Sequence, residues 1–375
     1  MSDEEMPDVP EEEAGLTDAE VVTKYKLAGE ITNKALKLVE SLCVAGASVV
    51  GVCQDGDDFI EKELAPLYSK RKGDNKVDKG IAFPTCVSVN NCMCHYSPLP
   101  GDELVLAPGD IVKIDLGCHV DGYVAVGAHT SIVGGGTISG PQANAIAAAR
   151  DAVEVALRLL KPGHKNTEIT EALSKVATDY GCVPSEGILS HQLKRFIIDG
   201  SKVIISRSSA KEEQVKVEEF EFEAGQVFAL DVVMSTGTGL PRETEARTTI
   251  FKRKLEHNYQ LKMKASRSVF SEINQKFPTM PFTLRALAEQ GKAKLGMTEL
   301  ISHDLVAQYP VLYEKEDAHV AQLKCTVLIM PNGSIDRITG VDLPDLQPSA
   351  ALEDAALKQL MEEPLKKKKA KKAKK

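Results

Sequence analysis

The sequence contains 375 residues, of which 43% are hydrophobic and 27% are charged, as is typical of a globular protein. No apolar run approaches the length of a membrane span, so we expect no membrane insertion. The eight cysteines follow no paired pattern and the acidic amino-terminal stretch is unlike a signal peptide, which favours reduced thiols and a cytoplasmic or nuclear location.

The net charge of −8 is spread unevenly along the chain. Residues 1–13 carry seven acidic side chains and no basic one, whereas residues 366–375 carry eight lysines and no acidic residue. We predict that residues 1–15 form a disordered acidic tail. Because the rest of the chain is acidic overall, any affinity for nucleic acid must come from the lysine-rich end or from local basic patches.

The first half of the chain predicts two helices followed by strands. Thr17 and Glu20 have the spacing of a capping box, and apolar residues recur at helical spacing over 21–42. A second helix is predicted at about 48–64. The strand that follows ends just before His95, which falls in a loop, where catalytic residues are common; a buried structural histidine is the alternative.

Residues 111–130 form the most informative stretch of the sequence. Asp121-Gly122 joins two apolar runs, and because both residues tolerate positive φ, the pair predicts a β-hairpin. Asp115 lies inside the first of these runs. A buried carboxylate is costly unless a cation or hydrogen-bond donors meet it, so Asp115 is either a site residue or a satisfied structural aspartate.

The second half predicts a similar order of elements. Helices are expected at about 141–160 and 167–180, with strands at 187–191, 203–206 and 225–234. Residues 253–304 are mostly helical in pattern, and a last strand pair brackets Pro331-Asn-Gly333 before a short helix at 350–361.

An internal repeat relates the two halves. Residues 108–115 and 224–231 share the pattern Gly-x-[Ile/Val]-[Val/Phe]-x-[Ile/Leu]-Asp, and the helix–glycine–helix order upstream recurs at almost the same offset. The repeat predicts two helix–helix–sheet modules related by approximate two-fold symmetry, with Asp115 and Asp231 facing one cleft. Two such carboxylates repel each other unless a cation lies between them.

Short motifs along the chain resemble the methionine aminopeptidase family: Phe83-Pro-Thr, Asn90-Asn-Cys-x-x-His95, Asp115-Leu-Gly, Ser190-His191 and Val227-Phe-Ala-Leu-Asp231. A closer similarity, over about residues 17–350, is to the proliferation-associated, ErbB-binding proteins, the non-catalytic homologues of the type II enzymes. The segments that carry it are 80–92, 113–117, 189–194, 270–274 and 280–286, together with the lysine-rich end.

The resemblance implies a fold and a domain organisation. The fold is the α/β pita-bread fold, with two pseudo-two-fold-related halves and a helical insertion at about 253–305. The expected domains are the acidic tail at 1–15, a methionine-aminopeptidase-like domain at 16–345 and a C-terminal extension with a lysine-rich tail at 346–375. The resemblance also favours a monomer.

Active members of the resembled family hold two divalent metals with two aspartates, one histidine and two glutamates. The resemblance maps these ligands, in chain order, onto Asp115, Val126, His191, Asp231 and Lys324. On the substrate side, His95 keeps its place, whereas a second family histidine falls at Asp199. Valine and a lysine ammonium offer no lone pair to a metal, so we expect a pseudo-enzyme without a cofactor. A single-metal site on Asp115, His191 and Asp231 is the alternative.

Lys324 is the replacement that reverses the sign of the charge. We hypothesise that its ammonium takes the place of the metal charge, between Asp115 and Asp231, and offsets their repulsion. The alternative is that Lys324 extends into solvent.

Two basic stretches are candidate RNA contacts. The first is a run near the insertion, extended by two further lysines: Lys252, Arg253, Lys254, Lys262, Lys264, Arg267, Lys292 and Lys294. Such a run suits a phosphate backbone, although an ordinary solvated helix face is the alternative. The second is the lysine-rich tail, which could serve as a nucleolar address, as a nonspecific RNA contact or as a solubility tail. Its lysines are Lys366, Lys367, Lys368, Lys369, Lys371, Lys372, Lys374 and Lys375.

The resemblance implies a factor that binds the large ribosomal subunit and ribosomal RNA near the tunnel exit, with roles in ribosome biogenesis, translation and growth regulation. Other structured RNA or DNA is a further candidate partner. Two other hypotheses are an adaptor or transcriptional regulator that binds proteins through the former substrate cleft, and an active aminopeptidase, against which the ligand replacements argue.

Overall fold

The computed structural model of the chain describes residues 15–70, 76–208 and 217–365. Most of the predicted acidic tail and all eight lysines of the lysine-rich end lie outside these residues. The helices of the described residues are α1 (Ala19–Leu42), α2 (Val49–Leu64), α3 (Gly140–Leu159), α4 (Asn166–Asp179), α5 (Lys264–Lys276), α6 (Gln290–Ser302) and α7 (Ala355–Glu362). None of them combines the length and the apolar character that crossing a membrane requires.

The longest strands belong to one large sheet, and the smaller sheets contain strands of only two to four residues. They are β1 (Lys79–Val89), β2 (Cys92–Cys94), β3 (Ile111–Val120), β4 (Tyr123–Ile132), β5 (Ile138–Ser139), β6 (Val183–Pro184), β7 (Leu189–Leu193), β8 (Val203–Ile205), β9 (Val227–Ser235), β10 (Arg242–Glu243), β11 (Ile250–Arg253), β12 (Phe282–Thr283), β13 (Val306–Tyr309), β14 (Leu312–Tyr313), β15 (Val320–Ile329), β16 (Ile335–Arg337) and β17 (Leu346–Gln347).

One large sheet unites both halves of the chain. Within the described residues its main path runs β1-β3-β4-β15-β9-β7-β8, and β4 and β15 join the halves at its centre. Helices α1 and α2 cover the first half with one apolar core, and α3 and α4 cover the second half with another. This arrangement confirms the α/β class and the two helix–helix–sheet modules.

The β3–β4 hairpin forms where the Asp-Gly pair predicts it. Asp121 has φ 57° and Gly122 has φ 76°, so both turn residues adopt positive φ. All of β3 and nearly all of β4 are buried, which places Asp115 in the interior of the sheet. At α1 the predicted cap is wrong by one residue: Asp18, not Thr17, is the N-cap, and its Oδ1 accepts from the amide of Glu20 at 2.7 Å.

The insertion contains the expected helices and a small sheet that the sequence pattern did not predict. Helices α5 and α6 pack together over an apolar cluster of their own. They are flanked by a three-stranded sheet of order β12-β11-β13. The predicted helical pattern over 253–304 missed this sheet because β12 is only two residues long, and because β11 and β13, with four residues each, lie at or beyond the borders of that range.

The C-terminal segment packs onto the second half of the domain. Strand β17 pairs with β5, and α7 lies against α3. Leu352 and Leu357 are buried in the core that α3 and α4 share with the sheet. The segment after residue 345 therefore adds to the domain core up to the end of α7.

Replacing Leu357 by alanine tests this contribution. Because the side chain is 7% exposed, its truncation should lower the free energy of unfolding by about 2–3 kcal/mol. Urea denaturation followed by circular dichroism measures the change. The neighbouring exposed Lys358→Ala is the matched control and should change stability by less than about 0.5 kcal/mol. Equal stability of the two variants would contradict the packing of α7.

Candidate functional site

The register of the sheet brings the predicted charges into one row. Across β3, β4, β15 and β9, Asp115 pairs with Ala128, Ala128 with Lys324, and Lys324 with Asp231. Directly paired residues in antiparallel strands point to the same face of a sheet, so all three charged side chains share one face. The two carboxylates thus lie on either side of Lys324.

The ammonium of Lys324 lies between the two carboxylates. Its Nζ is 2.5 Å from Asp115 Oδ2 and 3.0 Å from Asp231 Oδ2. The Asp115 side chain is only 2% exposed, and those of Lys324 and Asp231 are 12% and 11% exposed. The alternative in which Lys324 extends into solvent is therefore wrong.

Gln322 completes this polar cluster and was missed by the sequence analysis. Its Nε2 donates to Asp231 Oδ1 at 3.0 Å and to Asp115 Oδ2 at 3.3 Å. Gln322 lies two residues before Lys324 on β15, so both side chains point to the same face. That spacing in the sequence was the signal that could have identified it.

Two carboxylates and one ammonium leave the cluster with a net negative charge. Burial opposes the charge on Lys324, but attraction to Asp115 and Asp231 outweighs it and holds the lysine pKa above its ordinary value. Burial raises the pKa of Asp115 to about 6, assisted by repulsion from Asp231 and opposed by Lys324. Lys324 therefore stays protonated, and the pKa of Asp115, at about 6, lies close to physiological pH.

An aromatic wall borders the charged cluster. The Phe83 ring lies 5.4 Å from Lys324 Nζ, and Tyr309, on β13 beside the insertion, contacts both Phe83 and His95 with ring centroids 5.5 Å apart. His95 Nδ1 lies 3.0 Å from the Pro310 carbonyl, which can only accept, so Nδ1 carries the proton. Burial lowers the pKa of His95 to about 4, so the ring is neutral at physiological pH.

The other predicted pocket residues have different surroundings. Val126 is buried in the apolar cluster that includes Phe83. His191 lies on β7; burial lowers its pKa, and Nδ1 is buried without a hydrogen-bond partner in the described residues. Asp199 is more exposed and accepts a hydrogen bond from Lys252. Lys252 and Asp199, which were predicted to belong to two separate sites, therefore form one ion pair.

The described residues do not fit a divalent metal. They contain no group of three or more His, Cys, Asp or Glu side chains arranged to hold a metal ion. A dication bridging Asp115 and Asp231 would have to displace Lys324 Nζ, which lies within 3.0 Å of both and repels it. The donor set near these carboxylates is therefore suited to an ammonium.

The predicted basic run does not form one continuous face. Lys252 pairs with Asp199, Lys254 with Asp304 at 2.6 Å, and Lys292 with Glu289 at 2.6 Å. The first two pairs arise because residues 252–254 belong to β11 and the loop after it, not to a helix, so they face acidic side chains from other elements.

The two arginines of the run also contact other groups of the protein. Arg253 lies 5.5 Å over the Phe270 ring, and Arg267 donates to the carbonyls of Leu261 and Lys262. By contrast, Lys262, Lys264 and Lys294 are exposed and make no side-chain ion pair with any described residue. These three lysines are the cations of the run that remain available to a partner.

Both the sequence and the fold of the chain are similar to those of known proteins. Residues 23–261 match the model of metallopeptidase family M24. The chain is 52% identical to ErbB-3 binding protein 1 of Arabidopsis thaliana, over 96% of this chain and 90% of that protein, and 37% identical to a curved DNA-binding protein of Schizosaccharomyces pombe, over 95% and 94%. The solved structure of a thermophilic Arx1 covers 93% of this chain and all of its own, with a TM-score of 0.86 and 33% identity.

Removing the Lys324 ammonium should destabilise the fold. Lys324→Met leaves two buried carboxylates without their cation, and we expect a loss of about 3–5 kcal/mol in the free energy of unfolding at pH 8. Without the lysine, the pKa of Asp115 in the folded chain rises further above its unfolded value. The folded variant therefore binds this proton at a higher pH than the natural chain does, so its deficit should shrink as the pH falls from 8 toward about 6.

Urea denaturation at pH 8 and pH 5.5 measures both effects. Lys62→Met, at an exposed position, is the matched control and should leave stability unchanged at either pH. A Lys324→Met deficit that is absent, or that does not depend on pH, would contradict the assigned charge cluster.

Proposed function

The chain belongs to metallopeptidase family M24, and we propose that it is a catalytically inactive member that binds the large ribosomal subunit. The observation that carries the loss of activity is the ammonium of Lys324 between Asp115 and Asp231. In the family that the sequence resembles, these positions carry metal ligands. Here a lysine supplies the positive charge, and it does so without an open coordination position.

The chemistry of peptide hydrolysis explains why this exchange removes activity. A two-metal site works by generating a hydroxide and by polarising the scissile carbonyl. An ammonium with a raised pKa can do neither at neutral pH, because it has no lone pair and no exchangeable water ligand. Val126 stands where the resembled family carries a further carboxylate ligand. His95 is neutral, and without a metal there is no activated water for it to act on. We infer that the pocket is preserved for folding, with Lys324 as its internal cation.

A metal-binding measurement tests the loss of the ligand set. Isothermal titration of the purified chain with Mn²⁺ should show no stoichiometric binding. A triple variant, Val126→Asp, Asp231→Glu and Lys324→Glu, restores the ligand types that the resemblance assigns, and it should bind Mn²⁺. The same variant with Lys324→Met in place of Lys324→Glu lacks one ligand and is the control. Stoichiometric Mn²⁺ binding by the natural chain would overturn the proposal.

Binding to the ribosome is the function that the scaffold then supports best. The resemblance to the ErbB-binding proteins implies a contact near the tunnel exit, and a role in ribosome biogenesis, translation and growth regulation follows from it. Exposed Lys262, Lys264 and Lys294 supply unpaired cations for a phosphate backbone. The S. pombe relative is named for DNA binding, which is consistent with a nucleic-acid surface in this family.

The lysine-rich tail would add a nonspecific electrostatic contact to this surface. Residues 366–375 carry eight lysines and no aromatic residue, so they can attract phosphates but cannot stack on bases. We propose that a monomer divides its time between the cytoplasm and the nucleolus, where large subunits are assembled. Protein binding through the former substrate cleft is the alternative proposal.

Charge reversal on the insertion tests the ribosome contact. Lys262→Glu with Lys264→Glu should abolish co-sedimentation with purified large subunits at physiological salt and shift binding to lower salt. Lys37→Glu with Lys62→Glu makes the same charge change at exposed positions on α1 and α2 and should leave binding intact. Co-sedimentation that resists both high salt and the Lys262/Lys264 reversal would show that this surface is not the contact.

A further inference from the structure

A second groove lies where the insertion meets the first half of the domain. Its volume is about 370 Å³, within the range of small-molecule sites. Its walls include Tyr96, Pro98 and Pro100 from the segment after β2, and Tyr313 from β14. Arg247 and Lys294 line it as well. The groove is separate from the Lys324 pocket, since neither Asp115 nor Asp231 is among its lining residues.

The charge balance of this groove favours an anion. The carboxylate of Asp102 is engaged on both oxygens: Oδ2 accepts from the Tyr96 hydroxyl at 2.9 Å and Oδ1 accepts from the amide of Leu104 at 3.0 Å. Arg247 and Lys294 are exposed and have no ion-pair or hydrogen-bond partner for their side chains within residues 15–70, 76–208 and 217–365. Two free cations against one satisfied carboxylate leave a net positive groove.

The walls of the groove favour a flat group. Tyr96 and Tyr313 are half-buried, so part of each ring faces the groove, and the two prolines add rigid apolar surface. Nucleobases stack on aromatic rings whatever their sequence, with about 1–3 kcal/mol per base. A stacked duplex cannot offer a base face to such a wall, whereas an unpaired strand can.

We propose that this groove binds a single-stranded nucleic acid segment, with a base against Tyr96 and Tyr313 and the flanking phosphates on Arg247 and Lys294. The proposal rests on the RNA-binding function proposed above and adds to it a site that recognises unpaired nucleotides. Lys294 then acts at this groove rather than as part of the Lys262–Lys264 surface.

Fluorescence anisotropy with a labelled single-stranded RNA 12-mer, and with a duplex of the same length, tests the site on the full chain. Arg247→Gln with Lys294→Gln should weaken binding of the single strand by about tenfold. Loss of two phosphate contacts should also reduce the slope of log affinity against log salt by about 1.4. Duplex binding should change little. Lys37→Gln with Lys62→Gln, which removes the same charge elsewhere, should leave both affinities unchanged.

Photocrosslinking with a 4-thiouridine-containing strand provides a direct readout. Crosslinks should map by mass spectrometry to the peptides that contain Tyr96 or Tyr313. The groove assignment is overturned if crosslinks map only to other peptides, or if the groove variant binds the single strand as tightly as the natural chain does. In either case, continued co-sedimentation with the ribosome would leave the proposed function standing. Displacement of the strand by an acidic proline-rich peptide that binds more tightly than the RNA would overturn it in favour of a protein ligand. Absence of both RNA and subunit binding would instead defeat the proposed function.

Discussion

The ion cluster of Lys324, Asp115 and Asp231 is the interaction on which the centre of the molecule depends. Two carboxylates from the two halves face each other across the middle of one sheet, and either alone would be a costly buried charge. The lysine, from the strand between them, forms an ion pair with both, at 2.5 and 3.0 Å, although Asp115 Oδ1 has no hydrogen-bond partner among the described residues. Lys324 thereby acts as an internal counter-ion for the two carboxylates.

The main elements of the fold could be predicted because local and long-range signals agree. The repeat from Asp115 to Asp231 encodes the two halves, and the Asp121-Gly122 turn fixes the hairpin by backbone conformation alone. The small sheet of the insertion could not be predicted, since strands of two to four residues carry too little periodicity. The N-cap residue of α1 could not be predicted either, because Thr17 and Asp18 are both good N-cap residues.

The candidate site was predictable in part. The placement of Lys324 follows from electrostatics once two carboxylates are known to face it, and the two-residue spacing on β15 then places Gln322 on the same face. Tyr309 and Lys252 reach the pocket region from remote segments, and no local pattern marks such contacts. The positive charge predicted to be free at residues 252–254 is largely paired, because Asp199 and Asp304 contact these residues from distant parts of the chain. No local pattern in the sequence indicates such pairs.

These observations describe a family scaffold with an ion cluster in its interior and with exposed lysines, Lys262, Lys264 and Lys294, on its insertion. The central claim is that the Lys324 ammonium occupies the space between the carboxylates. A crystal structure of the chain grown with Mn²⁺, with anomalous diffraction recorded, tests it most directly. The account predicts side-chain density for Lys324 reaching both carboxylates and no anomalous peak between them. A manganese peak bridging Asp115 and Asp231, with Lys324 displaced, would contradict it.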